Sequence, residues 1–356
     1  APLPPAEAAA TMVVPPGFKV TLFAGEPDVL QPISFCIDDR GRLWVAEAFN
    51  YPRHGLAPGD RIVIFEDTDG DGRFDQRTVF CEFLNYVSGI EVGFGGVWVM
   101  SPPYFYFIPD RNGDDRPDGE PEVLLDGFGT HANSHNIANG FSWGPDGWLY
   151  NTHGRTNWSL IGRPGTPKEQ RTRFDGGVWR YHPVRRVWEP FTDGTTNPWA
   201  IDWDDHGQAF TTTAVDPHLY HAIQGAHYEP WRNRDSSQFA YERIATIADH
   251  LHFVGQGRVQ DGLGTAEEDE AGGGHAHCGA MIYVREFERN LRTCVRCGHH
   301  FRLTAKERLE LLTDPDSFTE LHAHLAPTDP LQFVSNDGPY PEKLRETQER
   351  TGLQEA

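Results

Sequence analysis

"DDRGRLWVAEA" at residues 38–48 is a unit that the chain states again and again: "GFGGVWVMSPP" follows at 93–103, "GPDGWLYNTHG" at 144–154 and "DDHGQAFTTTA" at 204–214. Each places a glycine turn ahead of an alternating strand that carries an aromatic residue or a threonine run. Alternation of apolar and polar side chains is the signature of a half-buried strand, and Asp with Gly is the chemistry of a tight turn. Between the first two units come "DRIVIFED" (60–67) and "QRTVFCEF" (76–83), again short and alternating. One unit therefore predicts three or four antiparallel strands, which is the content of a propeller blade. A sandwich would also space its strands evenly, but it would not repeat one glycine-aromatic unit at blade length. The expected fold is mainly β, an incomplete β-propeller of about five blades over residues 16–277.

Composition sets the outer bounds. The 356 residues carry 52 acidic against 31 basic side chains, and only four of the basic ones are lysines. No basic stripe offers a footprint for nucleic acid or an anionic membrane, so neither partner is expected. Residues 281–356 carry 13 acidic against 10 basic side chains, so most of the negative charge lies earlier. Glycine and tryptophan also concentrate there, while the last fifty residues read as charged helix, and the shift near 280 marks a boundary. No stretch approaches the ~20 apolar residues of a spanning helix. The opening "APLPPAEAAATMVVPPG" (1–17) reads as a Pro/Ala-rich lead-in, assigned to residues 1–15, of the kind that suits a mature exported chain or a fragment. Five cysteines are too few and odd in number for a disulfide framework. Cys36 and Cys81 stand alone in apolar strand contexts and are expected as buried thiols.

Two turns have the spacing of an oxygen-ligand site. "DTDGDGRFD" (67–75) places Asp67, Asp69 and Asp71 at alternate positions with Gly72 at the bend and Asp75 beyond, which is calcium-loop spacing. The bidentate glutamate of an EF-hand is replaced by Thr78. "DRNGDDRPD" (110–118) repeats the pattern with Asp110, Asn112, Asp114 and Asp118. The alternative is that Asp and Gly here simply make hairpin turns.

Histidines crowd "GTHANSHNIANGFSWGPDGWLYNTHGR" (129–155), where His131, His135 and His153 fall on the loop-rich side of a blade. The run from His135 through "NGFSWGPDGWLYNTHG" resembles a segment of the soluble PQQ-dependent sugar dehydrogenases. In that family a histidine a few residues before a GPDG turn is the general base for hydride transfer to the quinone. The resemblance implies His135 as the catalytic base, with His131 and His153 beside it facing the channel. "GTTNPWAIDWDDHGQAF" (194–210) resembles a later blade of the same enzymes and implies Asn197 at the cofactor. The arginine that precedes NP in that family is Thr196 here. Residues 16–283 are more similar still to the propeller of the bacterial PVC-type membrane-bound dehydrogenases, through "PPGFKVTLFAGEPDVLQPISFCIDDRGRLWVAEAFNYP" (15–52), "TNPWAIDWDDHGQ" (196–208) and "GGGHAHCGAMIY" (272–283). That family often carries a C-terminal cytochrome c domain, but this chain has no CxxCH motif, since Gly298 follows Cys297.

From Cys278 onward the grammar changes. "CVRC" sets Cys294 and Cys297 as a two-residue knuckle, with fifteen residues between Cys278 and Cys294. A zinc ribbon needs four soft ligands on two facing knuckles, and a Cys3His set is an ordinary structural site. His275, three residues before Cys278, completes the frame; His277 is its competitor. The expected ribbon spans 278–303, with short helices in 304–356, where Thr304 and Glu307 form a capping box and a last helix runs from Pro341 to Arg350. "GAMIYVREFERNLRTCVRCGHHFRLTAKERLELL" (279–312), with its continuation through residue 352, resembles the N-terminal zinc-ribbon region of the acetyl-CoA carboxylase carboxyltransferase beta subunit. That resemblance implies zinc, a carboxyltransferase alpha subunit as partner, and a place in fatty-acid (malonyl-CoA) biosynthesis. The acyl-CoA-binding domain of that family is not present in these residues.

"CGAMIY" fits both families, and the chain reads as a chimera of two truncated proteins joined within those residues. Three functions are expected: a quinoprotein sugar or alcohol dehydrogenase-like module with calcium and PQQ, inactive as joined; a zinc-binding carboxyltransferase beta fragment; and a non-catalytic binding propeller. The first implies a periplasmic or extracellular location, the second a cytoplasmic one.

Overall fold

The computed structural model describes residues 3–14, 17–51, 58–132, 135–214, 219–229, 244–247, 334–335 and 338–351. They belong to two compact units, one reaching from the N-terminus through the repeats and one holding the C-terminal residues.

The first unit is a succession of antiparallel sheets. A short helix α1 (Pro5–Thr11) precedes blade one, whose strands β1 (Pro32–Ile37), β2 (Leu43–Glu47), β3 (Asp60–Glu66) and β4 (Gln76–Leu84) pair in sequence order. Blade two repeats that order with β5 (Gly89–Val92), β6 (Gly96–Ser101), β7 (Tyr104–Pro109) and β8 (Glu122–Asp126). Blade three uses β9 (Ala138–Trp143) and β10 (Leu149–His153), then inserts a hairpin of β11 (Ser159–Ile161) and β12 (Thr172–Phe174) before β13 (Gly177–His182) and β14 (Val187–Gly194). Blade four shows β15 (Pro198–Trp203), β16 (Ala209–Thr213) and β17 (Leu219–Ala222), after which β18 (His227–Tyr228) returns to pair in parallel with the end of β14. The fold is thus mainly β with a propeller-like arrangement of sheets, four blades appearing among the described residues. The residues expected to continue the repeats after Glu229 lie, apart from 244–247, outside them.

The repeated unit has a local cause. In blade one Asp38 accepts the backbone N–H of Arg40 at 3.0 Å and of Arg42 at 2.8 Å, and in blade four Asp204 accepts those of His206 and Gln208 at 2.9 and 2.8 Å. Gly41 and Gly207 sit at φ 79° and 73°, a left-handed backbone that glycine adopts without a Cβ penalty. The same Asp-x-x-Gly device turns first strand into second in both blades.

The apolar cores lie between the blades. Trp44, Ile62, Ile64 and Phe80 of blade one pack with Ile90, Val97, Val99 and Ile108 of blade two. Trp98, Phe105 and Leu125 of blade two meet Leu149, Trp179 and Tyr181 of blade three, and Tyr150, Val178 and Phe191 meet Ile201 and Ala222 of blade four. Each such large side chain taken fully out of water contributes about 1.5–3 kcal/mol. The outer face of blade one is covered differently, by Phe23, Ala24 and Val29 of the preceding segment laid on Val45, Val63 and Phe65. Cys36 and Cys81 are buried free thiols, as expected. First strands approach so closely that a Cβ on Gly89 would lie 2.1 Å from the Asn139 carbonyl oxygen, and one on Gly140 2.5 Å from that of Trp199.

The second unit shows a hairpin of β19 (Val334–Ser335) and β20 (Gly338–Pro339) leading into α2 (Tyr340–Thr351), one residue longer at each end than the sequence predicts. The four expected zinc ligands, His275, Cys278, Cys294 and Cys297, and the capping box at Thr304 and Glu307 lie outside the described residues. No helix among the described residues is long and apolar enough to cross a membrane.

Candidate functional site

In an antiparallel blade, the loops from second to third strand and from one blade to the next emerge at one end of the sheet, and the tighter turns at the other. His131 and His135 lie on the loop from β8 to β9, Tyr51 on the loop after β2, Tyr86 between β4 and β5, Asn197 between β14 and β15, and Arg155 after β10. All belong to the first end. The Asp/Gly turns at 67–75 and 110–121 belong to the opposite end.

His135 is the centre of the first group. The Tyr51 hydroxyl is hydrogen-bonded to its Nδ1, and the two rings meet edge to face with centroids 5.6 Å apart. Tyr51 in turn stacks on Tyr86, centroids 6.4 Å apart, and Tyr86 is buried. Burial raises the pKa of the Tyr51 hydroxyl, so it stays protonated. Both loops are pinned by Asp60, a fully buried carboxylate that accepts the backbone N–H of Asn50 at 2.8 Å and of Val87 at 2.8 Å. The His135 ring itself is exposed. The Asn197 amide donates to the His135 carbonyl at 3.2 Å, so the NP turn fixes the histidine loop from the other side.

Two of the expected partners are placed elsewhere. His153 belongs to the core: it is fully buried, its Nδ1–H donates to the Gly154 carbonyl at 2.6 Å and its Nε2 accepts the Ser159 hydroxyl at 2.7 Å. Burial pushes its pKa down to about 4, so the ring is neutral and both nitrogens are used. It does not face a channel, contrary to its grouping by sequence. His131 is exposed but turned to Trp158, ring centroids 4.8 Å apart, at the base of the β11–β12 hairpin.

Asn197 serves the fold. It is 6% exposed, its amide is committed to the His135 carbonyl, and its buried Oδ1 finds no donor among the described residues. Thr196 stands where the resembled enzymes have an arginine, and the neighbouring cation is Arg155, whose backbone N–H donates to the Thr196 carbonyl at 3.3 Å. A quinone bearing several carboxylates needs convergent cationic donors. Among the described residues this set, an acceptor without a donor beside a single arginine, does not fit it.

At the opposite end Asp67, Asp69 and Asp71 bring carboxylate oxygens within 4.8 Å of one another, the one such group of metal-ligating side chains among the described residues. Asp67 also accepts the backbone N–H groups of Gly70 and Gly72 at 2.7 and 2.8 Å, which hold its carboxyl below the usual range. Asp75 turns away to accept the N–H of Thr68 at 2.9 Å and its hydroxyl at 2.8 Å. In the second turn Asp110 accepts Gly113 and Asp114 at 2.9 and 3.2 Å, Asn112 accepts Asp114 at 3.2 Å, and Asp118 accepts Arg111 at 2.6 Å.

Sequence reasoning missed Tyr51, Tyr86 and Asp60. Their signal was positional: Asp60 opens β3, and Tyr51 and Tyr86 lie on loops at the same end of the sheets as the histidine loop.

Similarity to known proteins divides along the chain. Acetyl-coenzyme A carboxylase carboxyl transferase subunit beta from a Synechococcus strain is 49% identical over 79 residues, 22% of this chain and 25% of that protein. Subunit beta 2 from Roseiflexus castenholzii is 55% identical over 76 residues, 21% of this chain and 25% of that protein. The chain thus spans about a quarter of the length of the curated relatives it matches. Among solved structures, the PQQ-bound aldose sugar dehydrogenase from Streptomyces coelicolor aligns at a TM-score of 0.41 with 16% identity, over 63% of this chain and 70% of that one. The chain pairs a propeller-like body, seen in its own sheets, with a carboxyltransferase-beta-like stretch, which is a chimera-like pattern. A family model matches residues 4–324, and by it the chain belongs to the family described as a domain of unknown function, DUF7133.

Proposed function

We propose that the chain is a propeller module of the quinoprotein-dehydrogenase type that presents His135 as a base toward a sugar or alcohol, and that it does not turn substrate over as it stands. The observation that carries the first half is the His135–Tyr51 hydrogen bond at an exposed loop face. In the tautomer whose proton is on Nδ1 and donated to the Tyr51 oxygen, Nε2 is the nitrogen that accepts a proton from a hydroxyl, and imidazole is the usual group for that work. The second half rests on Asn197 and Thr196, which supply no clamp for the carboxylates of PQQ; no redox step is derived through that cofactor. The test supplies PQQ, calcium, a panel of sugars and alcohols and an artificial electron acceptor to the whole chain and to His135→Ala. No turnover is expected from either. Turnover that disappears in His135→Ala would overturn the inactivity and establish the dehydrogenase.

A second reading is favoured by the 49% identity of the carboxyltransferase-like stretch. It gives the tail a structural zinc held by His275, Cys278, Cys294 and Cys297, a carboxyltransferase alpha subunit as partner, and a link to malonyl-CoA formation in the cytoplasm. Metal analysis should find about one zinc per chain, lost in Cys294→Ser. A zinc-free native preparation would remove this reading.

A further inference from the structure

Between blades one and two, on their outer side, lies a cleft of about 510 Å3, a volume within the range of small-molecule sites. Its walls are aromatic and come from both blades: Phe83 of β4 and Tyr86 on one side, Tyr104 and Tyr106 of β7 on the other. Phe83 and Tyr104 remain 43% and 40% exposed, whereas Phe105 and Ile108 on the same strand as Tyr104 are fully buried. Tyr104 and Tyr106 are two residues apart and share a face, their rings tilted by 47° with centroids 5.5 Å apart. Burial pushes the Tyr106 hydroxyl up to about 12, so it is a neutral donor at any physiological pH.

The charge of the lining is one-sided. Among the described residues, Glu120 is the only charged side chain that lines the cleft, and none of them supplies an arginine, lysine or histidine there. Aromatic faces carry negative potential, and a carboxylate beside them adds to it; the field of a chain with net charge −21 has the same sign. An anionic ligand is repelled from such a place. A cation whose shell is apolar gains both from the rings and from the carboxylate.

We propose that this cleft binds a small organic cation of the alkylammonium class, its charge over the Tyr104 ring and toward Glu120. The cleft shares Tyr86 with the group around His135, but its argument does not rest on the dehydrogenase reading.

The test is titration calorimetry of the whole chain with choline, with its uncharged isostere 3,3-dimethyl-1-butanol and with glucose. Saturable choline binding is expected, with the isostere and glucose weaker by about tenfold or more. Glu120→Gln, an exposed position, and Tyr104→Leu, which keeps apolar volume but removes the ring, should each weaken choline about three- to tenfold and leave the isostere unchanged. Added salt should weaken choline alone. Absence of saturable choline binding, equal binding of the isostere, preference for glucose, or an unchanged affinity in both variants would overturn the proposal.

Discussion

The turns at 67–75 and 110–118 are copies of one another in backbone and differ in what they do. In each the first aspartate caps the turn by accepting the N–H groups three to five residues on, and the last accepts the N–H of the second residue. Their sequences differ at four positions, and two of those differences separate their roles. Asp69 of the first turn is Asn112 in the second, so three carboxylates gather in one and not in the other. Gly72 of the first is Asp115 in the second, and Asp115 reaches across to blade one. There it holds Arg42 by two hydrogen bonds of 2.7 and 2.9 Å, while Arg42 Nε donates to Asp38 at 2.8 Å. The Arg42 side chain is 4% exposed, so the second turn is a strut between blades, while the first gathers three carboxylates at the surface. A shared frame thus fixes the shape of a turn, and two side chains decide its use.

The largest expected effect breaks the strut. Asp115→Asn keeps a residue that tolerates the left-handed φ of 65° but leaves a buried guanidinium short of charge, and should cost about 2–4 kcal/mol in urea unfolding. A loss no larger than that of a surface substitution would show that the strut carries no load.

The joint should also have opposed pH limbs. Glu91, on β5 beside Cys36, has its pKa pushed up to about 7 by burial. A carboxyl raised above its unfolded value favours folding most when protonated, so stability is full below about pH 4.5 and falls by up to about 3 kcal/mol as pH rises through 7. Glu91→Gln should remove that fall. Asp38 runs the other way: burial opposes its charge, but the Trp44 and Arg42 hydrogen bonds overcome it and lower its pKa. Its contribution is present above the unfolded value and lost as pH drops through the depressed one, so Asp38→Asn should flatten the acid limb alone. Unfolding midpoints from acid to mildly alkaline pH check both signs.

A smaller effect tests whether the frames are equivalent. Asp67→Ala and Asp110→Ala each strip the same set of backbone donors of their acceptor, and should lower the melting temperature by similar amounts. A large inequality would break the comparison. The smallest effect sharpens it: calcium should raise the melting temperature of the wild-type chain slightly, and Asp69→Asn, which gives the first turn the second's composition, should abolish the shift. Identical curves for the wild-type chain with and without chelator would leave the first turn a turn only.

The repeats were legible because glycine and aspartate are needed wherever a blade bends, and that need recurs with the blade. Cys36 and Cys81 were legible for the same reason, as apolar positions on alternating strands. What escaped is set by contacts that no local pattern records. His153 lies eighteen residues beyond His135, yet it ends a strand whose side chains are all buried, and its two nitrogens are taken by Gly154 and Ser159. Asp75 has ligand spacing but answers to Thr68. Tyr51 and Tyr86 gain their place from Asp60, whose partners are ten and twenty-seven residues away.

Because the apolar cores lie between sheets, a blade leaving the ribosome has no partner for one of its faces until the next has been made. The interval is roughly fifty residues, or about 3–10 s at ordinary rates of synthesis. Trp44, Ile62 and Phe80 of blade one therefore stay wet until Val97 and Ile108 appear. The segment carrying Phe23 and Val29 has already been made by then and can shield the other face at once. Protection of the nascent chain thus begins at its leading end and advances one interface at a time.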